Sequence, residues 1–216
     1  MKRLRVYALC LAIVSYSSCG GQIKPELSQE AIKPGTKDTA TSRWIYTKYE
    51  YSDSTGKRLV IQNSYPKSGV HYIDPAGKEY VYAVFWTRVI NETDNPCELS
   101  LDFPVESYGL PSLPGFYYRL FFPPDTMTID KEPLYDYGFT GLTSFLNSSL
   151  SNPSSLKRTI APKKSSAFYV ITLSNRGIDG PIRTGFTIKG QTVFYSINKN
   201  EFPCGKINLK TLERKN

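Results

Sequence analysis

The sequence predicts an all-β fold, an antiparallel β-sandwich with at most one short helix. Short runs rich in Val, Ile, Tyr, Phe and Thr are separated by Gly, Pro, Asn and Asp turn signals, which is typical of a sandwich or barrel. The longest run, 78–91, is largely apolar on both faces and is therefore predicted to lie mid-sheet. Only 139–150 has apolar residues at helical spacing, and its serines weaken that helix.

The strand at 78–91 has two different faces, because successive side chains of a strand point to opposite sides of the sheet. One face is small and smooth and is expected to pack between the two sheets: Val81, Ala83, Phe85, Thr87 and Val89. The other face is aromatic with polar tips and is expected to be partly exposed to solvent: Tyr80, Tyr82, Val84, Trp86, Arg88 and Ile90.

Further strands are expected on both sides of this central strand. They lie at 43–52, 58–64, 70–73, 97–103, 116–122, 156–160, 167–173, 182–189, 191–197 and 206–209. Two proline-containing stretches, 104–115 and 123–138, are expected to be loops. The strand order resembles immunoglobulin-like sandwiches, although Trp86 precedes Cys97 and so departs from the antibody Cys–Trp–Cys order.

The N-terminus has the pattern of a secretory signal peptide. Basic residues at 1–5 precede an apolar run at 6–14, which is shorter than the roughly 20 residues of a membrane-spanning helix. The next residues, Ser15-Tyr16-Ser17-Ser18-Cys19, resemble the lipobox of bacterial lipoproteins, with Tyr16 where leucine is usual. The resemblance implies that Cys19 carries acyl chains such as palmitate and begins the mature protein. The alternative is an ordinary cleaved signal peptide followed by a chance cysteine.

Three segments are therefore predicted: a signal peptide at 1–18, a lipidated flexible tether at 19–42 and a single β-sandwich domain at 43–216. Loss of Lys2, Arg3 and Arg5 with the signal peptide leaves 198 residues and lowers the net charge from +8 to +5. That length is enough for one sizeable core. The basic residues form no Lys/Arg run, so no binding of nucleic acid is expected.

Two cysteines remain in the folded part, Cys97 and Cys204, each directly after a proline. A secreted protein lies in a compartment that permits disulfides, so the two are predicted to pair. Such a bond would close a loop of 107 residues and stabilise the fold by about 4–5 kcal/mol in the chain-entropy model. The alternative is two free structural thiols.

The sequence offers no strong signal for catalysis. The one histidine, His71, lies near Asp74, but no nucleophile motif accompanies it, so a surface histidine on a strand is the favoured interpretation. One histidine and two cysteines do not supply a clustered set of metal ligands. We therefore predict no catalytic residues, no metal and no cofactor. A hydrolase with unrecognised paired carboxylates stays open as the alternative.

Aromatic and hydroxyl side chains provide the candidate surface sites. Exposed rings would stack on sugars or fill a partner's pocket, whereas the alternative is an aromatic core; the candidate ligand contacts are Trp44, Tyr46, Tyr72, Tyr82 and Trp86. Three tripeptides resemble the Asp-Ser/Thr-apolar O-glycosylation motif of Bacteroidota, which would place sugars on Thr39, Ser54 and Thr126.

Together these features predict a lipid-anchored binding or assembly module of the cell envelope, recognising protein or glycan through aromatic loops. The expected location is the outer membrane, facing the periplasm, because Gly20-Gly21-Gln22 lacks the acidic cluster that resembles a surface-export signal in Bacteroidota. A third hypothesis is a subunit that adds a strand to a partner's sheet. Paired carboxylates in a cleft would favour the hydrolase, a flat aromatic platform glycan binding, and a long unpaired edge strand addition.

Overall fold

The computed structural model describes residues 42–52, 55–111, 113–177, 180–208 and 213–214. The predictions for the signal peptide, for the tether up to residue 41, and for Cys19, Thr39 and Ser54 concern residues outside these ranges. The described strands are β1 (Ile45–Ser52), β2 (Arg58–Ser64), β3 (Lys67–Ile73), β4 (Glu79–Asn91), β5 (Cys97–Phe103), β6 (Tyr108–Leu110), β7 (Leu113–Phe121), β8 (Ser154–Ile160), β9 (Lys164–Ser174), β10 (Thr184–Lys189), β11 (Thr192–Ile197), β12 (Asn200–Asn208) and β13 (Glu213–Arg214). The helical elements are two 3₁₀ turns, Ile129–Lys131 and Tyr135–Gly138, and the helix α1, Leu142–Ser149.

The described strands form two antiparallel sheets, which confirms the predicted all-β sandwich with one short helix among the described residues. Sheet A has the order β13-β1-β2-β4-β9-β7-β6, and β3 also pairs with β4. Sheet B has the order β10-β11-β12-β5-β8. With eight and five strands, both sheets are larger than those of a constant-type immunoglobulin domain.

The strand β4 lies in the middle of sheet A, as predicted. It pairs with β9 along one side, from Val81 opposite Ser174 to Asn91 opposite Lys164. On its other side β2 covers the C-terminal half and β3 the N-terminal half. Each face of β4 also contributes to a hydrophobic core, as an apolar pattern on both faces requires.

The main core fills the space between the sheets. The inner face of β4 contributes Ala83, Phe85 and Val89, which confirms the prediction for that face. Aromatic rings dominate the centre: Phe103 stacks on Phe122 with ring centroids 4.4 Å apart, and rings at this separation attract each other beyond simple burial.

A second core covers most of the outer face of sheet A, so the expectation of partial exposure is wrong for Tyr80, Tyr82, Val84 and Trp86, whereas Arg88 and Ile90 are half-buried. The chain from 123 to 150 folds across it and contributes Met127, Tyr137, Phe139 and Leu146. These residues bury Tyr80, Tyr82, Val84 and Trp86 of β4.

The predicted Cys97–Cys204 disulfide is also wrong, since both residues are buried free thiols. Strands β5 and β12 are neighbours, and Gly205 pairs with Leu101. Cys204 therefore lies near Asp102, at the opposite end of β5 from Cys97. Five residues of strand separate the two positions by about 16 Å, and a disulfide needs Cα atoms within about 7 Å.

Both thiols are expected to stay unmodified when the native protein is treated with a maleimide at pH 7.5. Burial raises the pKa of Cys97 and of Cys204 to about 12, and the reactive species is the thiolate. In denaturant without reductant, mass spectrometry should find both peptides labelled. Protection of the two cysteines in denaturant until a reductant is added would show instead that they are bonded.

Candidate functional site

The strand β3 has one side without a strand neighbour among the described residues. On one side it pairs with β4. On the other side, β1 pairs with β2 but begins at Ile45, opposite Ser64, and does not extend along β3. Ser68, Gly69, Val70, His71 and Ile73 are all exposed on this strand. Val70 is 44% exposed and Ile73 62%, so the edge presents apolar side chains beside an unpaired backbone.

The edge of sheet B at β10 differs, because side chains of sheet A cover it. Asn63 accepts a hydrogen bond from the backbone N–H of Phe186 (2.9 Å) and donates one to its carbonyl (3.2 Å). Tyr51 Oη accepts from the N–H of Ile188 at 2.8 Å. These contacts imitate a neighbouring strand, so β10 offers less to a partner than β3 does.

The N-terminal part of β3 contains a β-bulge. The register with β4 shifts between Ser68 and Val70, and Gly69 has φ of +103°, a conformation that favours glycine. Beyond the bulge, from Val70 to Ile73, the edge contains neither lysine nor proline, the residues that usually protect edge strands from pairing. This part of β3 is therefore open to pairing with another chain.

Two cavities lie on the two sides of β3. The inner pocket, of about 280 Å³, is lined by residues that include Val81, Ala83, Tyr118, Thr172, Ser174 and Ile182. The outer groove, of about 490 Å³, is lined by Tyr72, Ile73 and the start of α1 at 141–144. His71 and Tyr82 line both, so β3 stands between two spaces that side chains of an added strand would enter.

The described lining of the inner pocket contains no Lys or Arg, and His71 lies at its rim. The hydroxyl of Tyr118 is buried without a hydrogen-bond partner among the described residues, and burial raises its pKa. Ser174 Oγ donates to the carbonyls of Val81 (3.2 Å) and Arg176 (2.8 Å). The described lining contains no Asp or Glu, which suits a small, uncharged side chain.

The segment 129–138 is fastened next to the start of β3 by Lys67. Its ammonium donates to the carbonyl oxygens of Glu132 (2.6 Å) and Leu134 (2.5 Å). It also lies 4.1 Å and 4.2 Å from the ring centroids of Trp44 and Tyr137. Burial lowers the pKa of Lys67, and the charge of Asp136 opposes that shift.

The backbone of this segment turns sharply beside β3. Asp136 and Tyr137 have φ of +48° and +55°, values that few non-glycine residues adopt. The Asp136 carboxylate accepts hydrogen bonds from Ser68 and Tyr82, and Tyr137 Oη donates to the carbonyl of Tyr65 at 2.7 Å. Burial raises the pKa of Tyr82 to about 12, so its hydroxyl remains a donor.

Replacing Lys67 with methionine is expected to lower the free energy of unfolding by about 1–2 kcal/mol, because two carbonyls and two rings lose their cation. Amide hydrogen exchange should accelerate at 129–138. The matched control is Lys131→Met, since Lys131 is half-buried, donates to one carbonyl, of Thr126, and lies 5.8 Å from the centroid of one ring, that of Tyr169. We expect that control to change stability by less than about 0.5 kcal/mol. Equal effects of the two substitutions would contradict the role of Lys67.

The five candidate ligand contacts do not form one exposed surface. Trp86, Tyr72 and Tyr82 belong to the second core, and Trp86 is 0% exposed, so it is not accessible to a ligand. Trp44 is half-buried beside Lys67, and Tyr46 is exposed next to Tyr65.

Two other residues keep the positions expected of them. Thr126 is exposed and stays a candidate for glycosylation. His71 is exposed on β3, with Nδ1 2.6 Å from Glu79 Oε1, in agreement with a surface histidine on a strand. The open edge of β3 was missed by sequence reasoning; its one signal is the lack of protecting residues between Val70 and Ile73.

Comparison with protein-family models, with curated proteins and with solved structures finds no match to this chain. Within the described residues, no three His, Cys, Asp or Glu side chains are grouped so that they could hold a metal ion. Nor does any described helix have the length and apolar character needed to cross a membrane. The geometry of β3 is therefore the main guide to function.

Proposed function

We propose that this chain is a binding or assembly module of the bacterial cell envelope that takes up an extended segment of another protein by strand addition to β3. The observation that carries the proposal is the open edge of β3, with apolar side chains and a cavity on either side. In strand addition, backbone hydrogen bonds supply affinity and pockets for alternate side chains supply specificity.

The two cavities match the side-chain period of an added strand. Every second residue would point to the inner pocket and the residues between them to the outer groove. Among the described residues, the linings of both cavities contain no Asp or Glu, so the described part of the chain places no paired carboxylates there. This arrangement supports binding of a polypeptide in preference to cleavage of a glycan.

Crosslinking from β3 tests this function. A photoreactive residue is placed at Val70 or Ile73 of the full-length protein in envelopes of the native organism. The matched control is Val105, which is 38% exposed but lies outside β3. One protein should crosslink from Val70 and Ile73 and not from Val105. After purification of that protein, amide exchange at 69–73 should slow in the complex.

Three results would overturn the function. They are equal crosslinking from all positions, no protection of 69–73 in the purified complex, and a product that contains only two copies of this chain. Ile73→Lys should abolish the complex, because a charge on an edge opposes pairing, whereas Val105→Lys should leave it intact.

The membrane anchor is part of the proposal and rests on the N-terminal sequence. Acyl chains on Cys19 would hold the module at the outer membrane, facing the periplasm. Labelled palmitate should enter the wild-type protein and not Cys19→Ser, and the variant should move to the soluble fraction. Unchanged labelling and sedimentation of the variant would contradict the anchor and leave strand addition to be judged separately.

A further inference from the structure

We infer that the segment bound along β3 is acidic at the end nearest Tyr65, where Arg183 binds its carboxylate. This inference rests on the proposed strand addition and names the chemistry of the partner. It is carried by two exposed rings and a half-buried guanidinium close to the start of β3.

The cluster centres on Arg183. Tyr46 and Tyr65 are both exposed, with ring centroids 5.3 Å apart. The guanidinium carbon of Arg183 lies 5.3 Å and 5.1 Å from these two centroids, and Nη1 donates to the carbonyl of Ile182. Contact with two rings holds the guanidinium in place while its other N–H groups stay available for a carboxylate, which a planar fork binds with two hydrogen bonds.

The cluster is continuous with the edge of β3. Just beyond the β1–β2 pairing, the N–H of Tyr65 donates a hydrogen bond to the carbonyl of Trp44 at 2.9 Å. A strand paired with Val70–Ile73 and continued past the bulge would approach this contact at Tyr65. Pro66 and Ile182, the chain neighbours of Tyr65 and Arg183, both line the inner pocket. A residue at the end of the added strand would therefore reach Arg183.

The guanidinium of Arg183 has no ion-pair partner among the described residues. The two described carboxylates near the start of β3, of Glu132 and Asp136, are buried and accept hydrogen bonds from Ser42 and Ser68. Neither carboxylate forms an ion pair with Arg183.

Ion pairs are found at the opposite end of β4. There Arg58 binds Glu50 and Glu92, and Lys57 and Lys163 both bind Asp94. Among the described residues Arg183 has no such partner, although two rings hold its guanidinium in place. Charge complementarity thus favours an acidic segment as the occupant of β3, over a neutral segment or a second copy of this basic chain.

The experiment selects peptides from a phage library of random twelve-residue sequences on the detergent-solubilised, lipidated full-length protein. We expect Asp and Glu to be enriched near one end of the selected peptides. Binding of a synthetic copy of the best peptide, measured by fluorescence anisotropy, should weaken about threefold in Arg183→Ala, the effect of one exposed ion pair. Raising the salt concentration should weaken wild-type binding and affect the variant less.

Arg158→Ala is the matched control, because Arg158 also donates to the carbonyl of the preceding residue but belongs to β8 of sheet B. Peptides that require β3, as judged by loss in Ile73→Lys, but show no acidic enrichment would overturn this inference and leave strand addition standing. Equal affinities of Arg183→Ala and Arg158→Ala would overturn it too. If no selected peptide depends on Ile73, strand addition itself fails, and the inference with it.

Discussion

Replacing Gly205 with alanine is expected to lower the free energy of unfolding by about 3 kcal/mol, through overpacking against a backbone that cannot yield. A Cβ at this position would overlap the carbonyl oxygen of Ser100 and lie 2.9 Å from the Cα of Leu101. Both atoms belong to β5, the strand that pairs with β12 in sheet B. The only relief is separation of the two strands, which would open the core between the sheets.

Gly109→Ala is the matched control, because Gly109 also lies in a strand and its Cβ would meet no atom within 4 Å. That substitution is expected to be neutral or to stabilise by up to about 1 kcal/mol, since alanine reduces the freedom of the unfolded chain. Urea unfolding of both variants measures the difference. Coincident unfolding curves for the two variants would mean that β5 and β12 are not packed as closely as described.

The sequence was sufficient to predict strands wherever alternation was clear and turn residues bounded it. Both β2 and β5 have the predicted limits, 58–64 and 97–103, and β4 differs by one residue. The start of β12 was missed because Asn200–Pro203 is polar and contains a proline. In the structure Pro203 directly precedes a register shift between β11 and β12, where a proline is tolerated.

The candidate site could not be predicted because it depends on which strands become neighbours. The alternation at 70–73 predicts a strand. No local pattern predicts that β1 begins at Ile45 and therefore leaves one edge of β3 without a neighbouring strand. The disulfide prediction failed for a related reason, because the number of cysteines gives no information on the register between β5 and β12. Pairing between distant segments is set by the whole fold.

The aromatic face of β4 shows a further limit of sequence reasoning. A row of tyrosines and a tryptophan would look the same on an exposed platform and in a second core. Burial is decided by the segment 123–150, whose first part, 123–138, was expected to be a loop and turns back through positive φ at Asp136 and Tyr137. The same turn fixes this segment next to β3, so the second core also shapes the surface beside the candidate site.

Replacing Trp86 with alanine is accordingly expected to lower the free energy of unfolding by about 3–5 kcal/mol, as for other buried aromatic residues. The Trp86 ring is fully buried and meets Tyr137 edge to face, with centroids 6.3 Å apart. The cavity would loosen the segment that Tyr137 anchors, so amide exchange at 129–138 should accelerate along with the change in urea midpoint.

Trp86→Phe tests whether the loss comes from packing alone. The indole Nε1 has no hydrogen-bond partner among the described residues, so the substitution removes part of the buried ring and no such hydrogen bond. A phenylalanine keeps most of the buried ring and is expected to cost less than half as much as alanine. Tyr46→Ala, at a 39% exposed position, should change stability by less than about 1 kcal/mol. Should Trp86→Ala instead leave the urea midpoint unchanged, the second core would not be what holds 123–150 on sheet A. The surface beside β3 would then need another explanation.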